Sequence, residues 1–375
     1  MSDPASLGPT AGVAVPASTD GRPARRPHGV AGERTVAVLA GGISHEREVS
    51  LHSGRRLAAA LRGVGLDVRE WDVDGALVDH LRADPPDAVA IALHGGEGEN
   101  GSVQAVLELL GVPFVGTPAR ACRRAWDKPT AKAELARAGL DTPDWIALPH
   151  TTFRALGAQA VLDAMVDRLG LPLMLKPDQG GSALGTQVVG DRAELPAAMV
   201  SCLAYSDAVL AEQFIDGVEV AVTVVEDEGV PRALPAVEVE AKGGVYDYTA
   251  RYTPGAAHFH CPARIDAAAA AALADVALAA HQLLGLRNVS RTDAVVDAAT
   301  ASALADAALA AHQLLGLRDV SRTDAVVDTA GRVQILEVNV APGLTETSTV
   351  PLSVVAAGLD LGRLMADLVE RAVAR

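Results

Sequence analysis

The chain has 375 residues, 49% of them hydrophobic, which is enough apolar material for two or three packed domains. A formal net charge of −15, a sequence pI near 5.1 and the lack of any Lys/Arg run exclude a nucleic-acid backbone footprint, so an anionic ligand must be held by a few placed cations. No apolar stretch reaches the roughly 18 residues of a membrane span, and Cys122, Cys202 and Cys261 share no metal or redox spacing, which fits reduced cytoplasmic thiols.

Residues 1–32, rich in Pro, Gly, Ala and Arg, are expected to form a disordered extension; Arg25-Arg26 is followed by no signal-like apolar segment. Residues 36–39 are a short apolar run entering Gly41-Gly42, and helical spacing resumes over about 49–61, giving a strand, glycine loop and helix. Within GGISHEREVSLHSG (41–54), Glu46 lies in the loop itself, whereas Glu48 suits the acidic first turn of the helix. Two more short strands are predicted over 68–73 and 88–93, the second ending in HGGEGENG (94–101). Both glycine loops then fall at carboxyl ends of strands, where open α/β sheets bind ligands. His94 stands alone, so a substrate contact or a loop-capping role suits it better than metal ligation.

Residues 116–140 have a helical pattern with Trp126-Asp127-Lys128 inside it and Gly139 as its stop. Residues 171–175 read as a buried strand ending in Lys176, followed by Pro177 and the loop GGSALG (180–185). Gly181 and its neighbours let backbone N–H groups approach a phosphate, Ser182 adds a hydroxyl and Lys176 a compact positive charge; a flexible hairpin is the alternative for the glycines alone. Over 209–225, Glu212 and Glu219 flank an Asp216-Gly217 turn between two strands, where carboxylates can accept from ribose hydroxyls or simply face solvent. Residues 242–263 hold clustered aromatics without a clear period, as lids and binding loops do, which makes Arg251 and Tyr252 candidate substrate contacts.

Residues 267–297 and 298–328 are one 31-residue unit written twice, differing only at Ala269/Thr300, Ala271/Ser302, Val276/Ala307 and Asn288/Asp319. Each copy reads as an amphipathic helix, a turn at Gly285 or Gly316, and a strand carrying Arg-Thr-Asp. Two units are too few for a solenoid, so one has a native slot and the other is extra. The second copy runs on through the turn residues 328–331 into another apolar run, 333–338, and so forms a hairpin. Asp324 lies on its first strand; Glu337 and Asn339 share one face of its second. An oxygen-only ligand set of this kind suits a hard cation such as Mg2+ and points to nucleotide chemistry. From about residue 352, Leu361, Leu364, Met365, Leu368 and Val369 have helical spacing and close the fold.

In this order and spacing, GGISHEREVSL, LHGGEGENG, the WDK-centred helix, LKPDQGGSALG, AEQFIDGVE, YDYTARY, and RTDAVV with LEVNVAPGLTETSTVP resemble the D-alanine:D-alanine ligases of the ATP-grasp superfamily over residues 35–372. The resemblance implies an α/β, three-domain ATP-grasp architecture. An N-terminal open α/β substrate domain spans 33–125, a central subdomain 126–225 and a C-terminal one, holding the duplication, 226–375, with ATP between the last two. It implies that Lys128, Lys176, Gly181, Glu212, Glu219 and Arg251 bind nucleotide and that Asp324, Glu337 and Asn339 hold two Mg2+, Mn2+ also being compatible. Glu46 would hold the first D-alanine's ammonium with Ser182 and Tyr252 in support, and His94 would touch substrate. Arg322 and the Gly343 N–H would form an oxyanion site, and Ser348 would meet the second substrate's carboxylate.

The implied activity is ATP-dependent ligation of two D-alanines through an acyl phosphate for peptidoglycan precursors, by a cytoplasmic homodimer without nucleic-acid or membrane partners. The chain departs from the family pattern at Arg251, where a lysine is usual, at Ala183, and in the Val-Ala-Pro-Gly-Leu that follows Asn339. These departures leave open a natural-product or resistance dipeptide ligase with another second substrate, and the duplication leaves open an inactive nucleotide-binding homologue. Tyr252 favours D-alanine as second substrate. Asp324 is expected to outrank Asp293 because only the second copy enters the hairpin, the first being displaced or keeping its helix while its strand loops out.

Overall fold

The computed structural model describes residues 34–227, 230–253, 255–264, 267–284, 286, 289–296, 322–327, 333–346 and 348–375. The extension over 1–32, the second copy's helix and the turn at 328–331 lie outside the described residues. Among these, no helix is long and apolar enough to cross a membrane.

The first sheet is parallel, with β1 (Thr35–Ala40), β2 (Asp67–Asp72), β3 (Ala88–Ile91) and β4 (Phe114–Val115) in the order β2-β1-β3-β4. Strand β1 is apolar at every position from Val36 to Leu39 because both of its faces are covered. Val36 and Val38 pack with Leu57 and Leu61 of α1 (Arg47–Gly63), whereas Ala37 and Leu39 pack with Leu77 and Leu81 of α2 (Leu77–Ala83) and Leu107. Helices α3 (Gly96–Glu99) and α4 (Ser102–Leu110) follow β3.

The expected single helix over 116–140 is two helices, α5 (Ala119–Trp126) and α6 (Lys128–Arg137). Asp127 breaks the run: its backbone is extended (φ −83, ψ 97), its carboxylate accepts the Thr130 N–H at 2.8 Å, and Pro129 sits in the first turn of α6. Trp126-Asp127-Lys128 is therefore a joint, and Lys128 opens a new helix.

A second, antiparallel sheet has the order β5-β8-β6-β7, formed by β5 (Trp145–Pro149), β6 (Leu173–Pro177), β7 (Gln187–Val189) and β8 (Ala208–Gln213). Its core is Phe153 of α7 (His150–Leu156), Leu162 and Met165 of α8 (Ala158–Leu169), and Leu195 of α9 (Leu195–Leu203), packed on Leu173, Leu175 and Val209. Strand β6 begins after Pro172, which has no N–H for the ladder, and runs one residue past Lys176 to Pro177.

The third sheet has seven strands in the order β12-β11-β9-β13-β14-β15, with β10 beside β9. They are β9 (Val218–Asp227), β10 (Val230–Ala233), β11 (Val237–Ala241), β12 (Ala257–His260), β13 (Val289–Val296), β14 (Arg322–Val327) and β15 (Val333–Asn339). The Asp216-Gly217 turn does not close a hairpin, since β8 and β9 belong to different sheets. A boundary at 225/226 cuts the β9 ladder; the change of sheet comes at residues 214–217. Residues 242–263 are less irregular than expected, since they hold a short helix, α10 (Tyr248–Tyr252), and β12. Helix α11 (Ala267–Leu283) fills this sheet's core with Val276, Ala277, Ala280 and Leu283 against Val220, Val222, Val224 and Ile335. Two C-terminal helices, α12 (Thr349–Ala356) and α13 (Leu361–Ala374), return to the first sheet. At Gly362 a Cβ would lie 2.5 Å from the Ala60 carbonyl, so glycine permits α13 to approach α1.

The first copy thus keeps its helix in the core, but its strand is not looped out. Strand β13 pairs with β9 along its whole length, from Val289 opposite Val225 to Val296 opposite Val218. Strand β14 addresses the same edge: Arg291 and Arg322 both face Thr223, and Asp293 and Asp324 both face Ala221. On the other side, Asn339 of β15 is opposite both Arg291 and Arg322. One strand edge offers each backbone group to one neighbour at a time, so the copies compete for one address.

Excision of residues 298–328 leaves Asp297 joined to Thr329, the same junction that Asp328 now makes. The shortened chain should keep its far-ultraviolet circular dichroism and melt higher, by about 2–4 °C per kcal/mol of competition removed. A lower melting temperature would show that the second unit is an integral layer of the fold.

Candidate functional site

The glycine loop after β1 is fixed at three points. Gly41 N–H donates to Ser50 Oγ at 2.9 Å, Gly42 N–H donates to Asp72 Oδ1 at 3.0 Å, and Arg47 holds Asp72 from the other side. The Arg47 guanidinium keeps the Asp72 carboxyl down at about 2. This places Glu46, 8% exposed, at the N-terminus of α1, where the helix dipole favours negative charge. Glu48 is exposed, in keeping with a first-turn acidic residue.

Ser182 reaches across from the second sheet's loop and donates to Glu46 Oε1. The carboxylate is boxed by backbone: a Cβ on Gly95 would lie 2.2 Å from Glu46 Oε2, and one on Gly181 would lie 2.9 Å away. Ser182 and Ala183 both have left-handed backbone (φ 53 and 56), a conformation that costs a non-glycine residue about 1 kcal/mol or more and recurs where a loop must turn its backbone toward a ligand. Beside this loop lies a cavity of about 440 Å³ whose lining includes His45, Ala183, Tyr205 and Tyr248.

Three lysines are buried behind the loop. Lys128 donates to the Gly180 carbonyl at 2.7 Å and lies 3.8 Å from Glu337. Lys176 of β6 and Lys132 of α6 both pair with Glu212 of β8, Lys132 at 2.7 Å. Glu212 is 1% exposed. Burial alone would raise its pKa, but the two ammoniums outweigh that and hold it below the usual carboxylate range. Burial also lowers Lys132 to about 8, against the opposing pull of Glu212.

In the third sheet Asp324 is in register with Glu337, and Arg322 with Asn339. The ladder shifts between Asp324 and Ala325, a bulge of the kind that re-aims side chains near sites. Asn339 is buried and accepts the Ala341 N–H at 2.8 Å, which shapes the loop that follows. In that loop a Cβ on Gly343 would meet Ser348 Oγ at 2.6 Å, and Ser348 shares a hydrogen bond of 2.8 Å with Thr345. Among the described residues no three His, Cys, Asp or Glu side chains gather as a metal cluster.

His94 ties this loop to the first sheet. Its Nδ1 is 3.0 Å from the Ala341 carbonyl, which can only accept, so Nδ1 carries a hydrogen. Nε2 is 2.8 Å from Ser53 Oγ, and Ser53 in turn accepts the Leu344 N–H at 3.3 Å. Ser50 and Ser53 had gone unnoticed in the sequence, yet both are fully buried, one turn apart on α1. Glu99, which accepts the Gly95 N–H at 2.9 Å, was missed as well.

The structure thus brings together Glu46, Gly181 and Ser182; Lys128 and Glu337; Lys176 and Glu212; and Gly343 and Ser348. Glu219 lies at the start of β9, half-buried. Tyr252 ends α10, whereas the Arg251 guanidinium stacks on the Tyr246 ring at 4.5 Å, so its charge is turned to an aromatic face.

The family model described as D-ala D-ala ligase C-terminus matches residues 135–302 and 292–370, breaking within the repeat. The D-alanine–D-alanine ligase of Moorella thermoacetica is 37% identical over 339 residues, covering 90% of this chain and 99% of that protein. The corresponding protein of Acidiphilium cryptum is 36% identical, covering 91% and 99%. Among solved structures, the D-alanine–D-alanine ligase of Bacillus anthracis superposes with a TM-score of 0.69 at 26% identity over 92% of this chain and 98% of that one. The D-alanyl-alanine synthetase A of Vibrio cholerae shares the fold, with a TM-score of 0.74 at 20% identity over 92% and 99%. With its sheets, loops and repeat in place, the chain belongs to the D-alanine–D-alanine ligase family.

Proposed function

We propose that this chain joins two D-alanines to D-alanyl-D-alanine with hydrolysis of ATP to ADP and phosphate, supplying peptidoglycan precursors in the cytoplasm. The observation that carries the reading is the contact of Ser182 with Glu46, which draws the glycine loops of two sheets around one buried carboxylate. A small ammonium ion suits such a carboxylate, and Tyr252 completes the group that receives the first D-alanine. A homodimer is the assembled form.

The donor set fits a nucleotide. Lys128, Lys132 and Lys176 are all buried, and the described carboxylates paired with them are Glu212 and Glu337. Three buried ammoniums held in one place suit a polyphosphate. Gly181 offers backbone to the phosphates, while Glu212, Glu219 and Arg251 complete the nucleotide contacts. Glu337, Asn339 and Asp324 supply only oxygen, which suits two Mg2+ ions; when bound, these neutralise charge on the phosphates.

The chain's own residues then position and neutralise. Glu46, steadied by Ser182, holds the first D-alanine by its ammonium so that its carboxylate faces the γ-phosphate. The acyl phosphate formed there is attacked by the amine of the second D-alanine, whose carboxylate Ser348 receives. Arg322 and the Gly343 N–H stabilise the tetrahedral oxyanion, a contact worth about 3 kcal/mol per donor in comparable sites. His94, held between Ser53 and Ala341, keeps the Gly343 loop against the substrate.

With ATP and Mg2+, the full-length chain should release phosphate with D-alanine but not with L-alanine or D-lactate, and D-alanyl-D-alanine should be the product. ATP binding without phosphate release in all three cases would overturn the reading. Ser182→Ala removes a hydrogen bond to a charged group and should lower kcat/KM for D-alanine by about 10–100-fold. Asp324→Ala should abolish Mg2+-dependent turnover, whereas Asp293→Ala should leave it within about threefold, because only the second copy runs on into the strand that carries Glu337. The reverse pattern in the two alanine variants would assign the ligand to the first copy.

A further inference from the structure

Helix α6 buries one face through Lys128, Ala131, Lys132 and Leu135, the spacing of an apolar stripe. Ala131 and Leu135 are core, and Lys128 belongs to the proposed nucleotide site. Lys132 stands in a position where an aliphatic residue is expected. Its side chain is 1% exposed, with its ammonium 2.7 Å from Glu212 Oε1. It also donates to Thr142 Oγ1, and Thr142 donates in turn to the Ile335 carbonyl at 2.6 Å. Ile335 lies on β15, two residues before Glu337, and its N–H donates to the Asp141 carbonyl at 2.8 Å.

We infer that Lys132 is a positioning residue of the nucleotide site: the standing counter-ion of Glu212, which leaves the Lys176 ammonium available to a polyphosphate. The inference rests on the nucleotide reading above. Glu212 carries one charge and pairs with two ammoniums. If Lys176 turned toward phosphate and no second cation stayed behind, a wholly buried carboxylate would be stranded, the most unfavourable state for such a group. Lys132 stays behind because Thr142 anchors it as well. Through the same anchor it fixes β8, which carries Glu212, relative to β15, which carries Glu337 and Asn339. The charged groups acting on it are Glu212, Lys176 and Asp144. Glu212 favours its protonated form, so the pairing holds at neutral pH although burial depresses the lysine's pKa.

The test is a calorimetric titration of the full-length chain with ATP, together with steady-state kinetics. Lys132→Met should weaken ATP binding by about a hundredfold, as expected when a buried ion pair loses one partner. The KM for ATP should rise in step, while that for D-alanine stays within about threefold, since neither Glu212 nor Thr142 is among the residues proposed to hold D-alanine. In a Glu212→Gln background, which is itself weakened, the same lysine substitution should change ATP affinity by less than about threefold, because no carboxylate remains to be stranded. Unchanged ATP affinity in Lys132→Met, or an equal loss in both backgrounds, overturns the inference, the latter result making Lys132 a packing residue. A parent chain that binds no ATP overturns the nucleotide reading instead. Should Lys132→Met fail to fold by circular dichroism, Thr142→Val takes its place: about a tenfold loss of ATP affinity supports the anchor, and no loss overturns it.

Discussion

The constraint on which the site depends is the burial of positive charge. Lys128, Lys132 and Lys176 come from one helix and one strand, and all are withdrawn from water. Isolated ammoniums in such surroundings are strongly unfavourable, and each here has a nearby partner: Gly180 O and Glu337 for Lys128, and Glu212 for the other two. These partners come from different sheets. Glu212 lies on the second, Glu337 on the third, and α6 packs its apolar residues Ala131 and Leu135 into the core of the third. The charges therefore hold the second and third sheets in register.

A separate set of hydrogen bonds joins the first sheet to the third. Ser53 and His94 reach the loop at Ala341 and Leu344, and Ser50 clamps Gly41 to Ala92. These are short-range and buried, so they are worth about 1 kcal/mol each but cannot be lost singly without stranding a polar group. They restrict where the Gly343 loop can lie relative to Glu46. Buried charge thus fixes the second sheet on the third, and directional hydrogen bonds fix the first on the third.

Much of this was legible in the chain because it was local. The apolar runs became β1, β3, β6 and β15, and Gly95 and Gly181 flank the carboxylate that the loop patterns had singled out. The joint at Asp127 could also have been read, since Asp-Lys-Pro-Thr is a cap followed by a first-turn proline, but the helical period on either side masked it. The change of sheet between Glu212 and Glu219 was not legible, because strand partnership is decided by residues far away in sequence; an Asp-Gly pair marks a turn without saying whether the strands it joins meet. Lys132 was passed over for a related reason. A lysine in an apolar stripe looks like a surface residue until the carboxylate opposite it, 80 positions later, is known. The stacking of Arg251 on Tyr246 went unread as well, because the segment that holds both has no period to pair them.

The repeat shows how a sheet resolves two identical claims. Copies that differ at four positions have the same strand propensity and face the same residues, Thr223 and Ala221, so local preference cannot choose between them. Connectivity can. The first copy's helix is joined to the chain that arrives from β12, and it holds the core position against Val220 and Ile335. The second copy's strand is five residues from β15, and closing a short loop costs less entropy than closing one lengthened by a whole unit. The core helix α11 therefore comes from the first copy, while strands of both copies, β13 and β14, address β9. In β14, Asp324 is in register with Glu337, beside the bulge in the ladder.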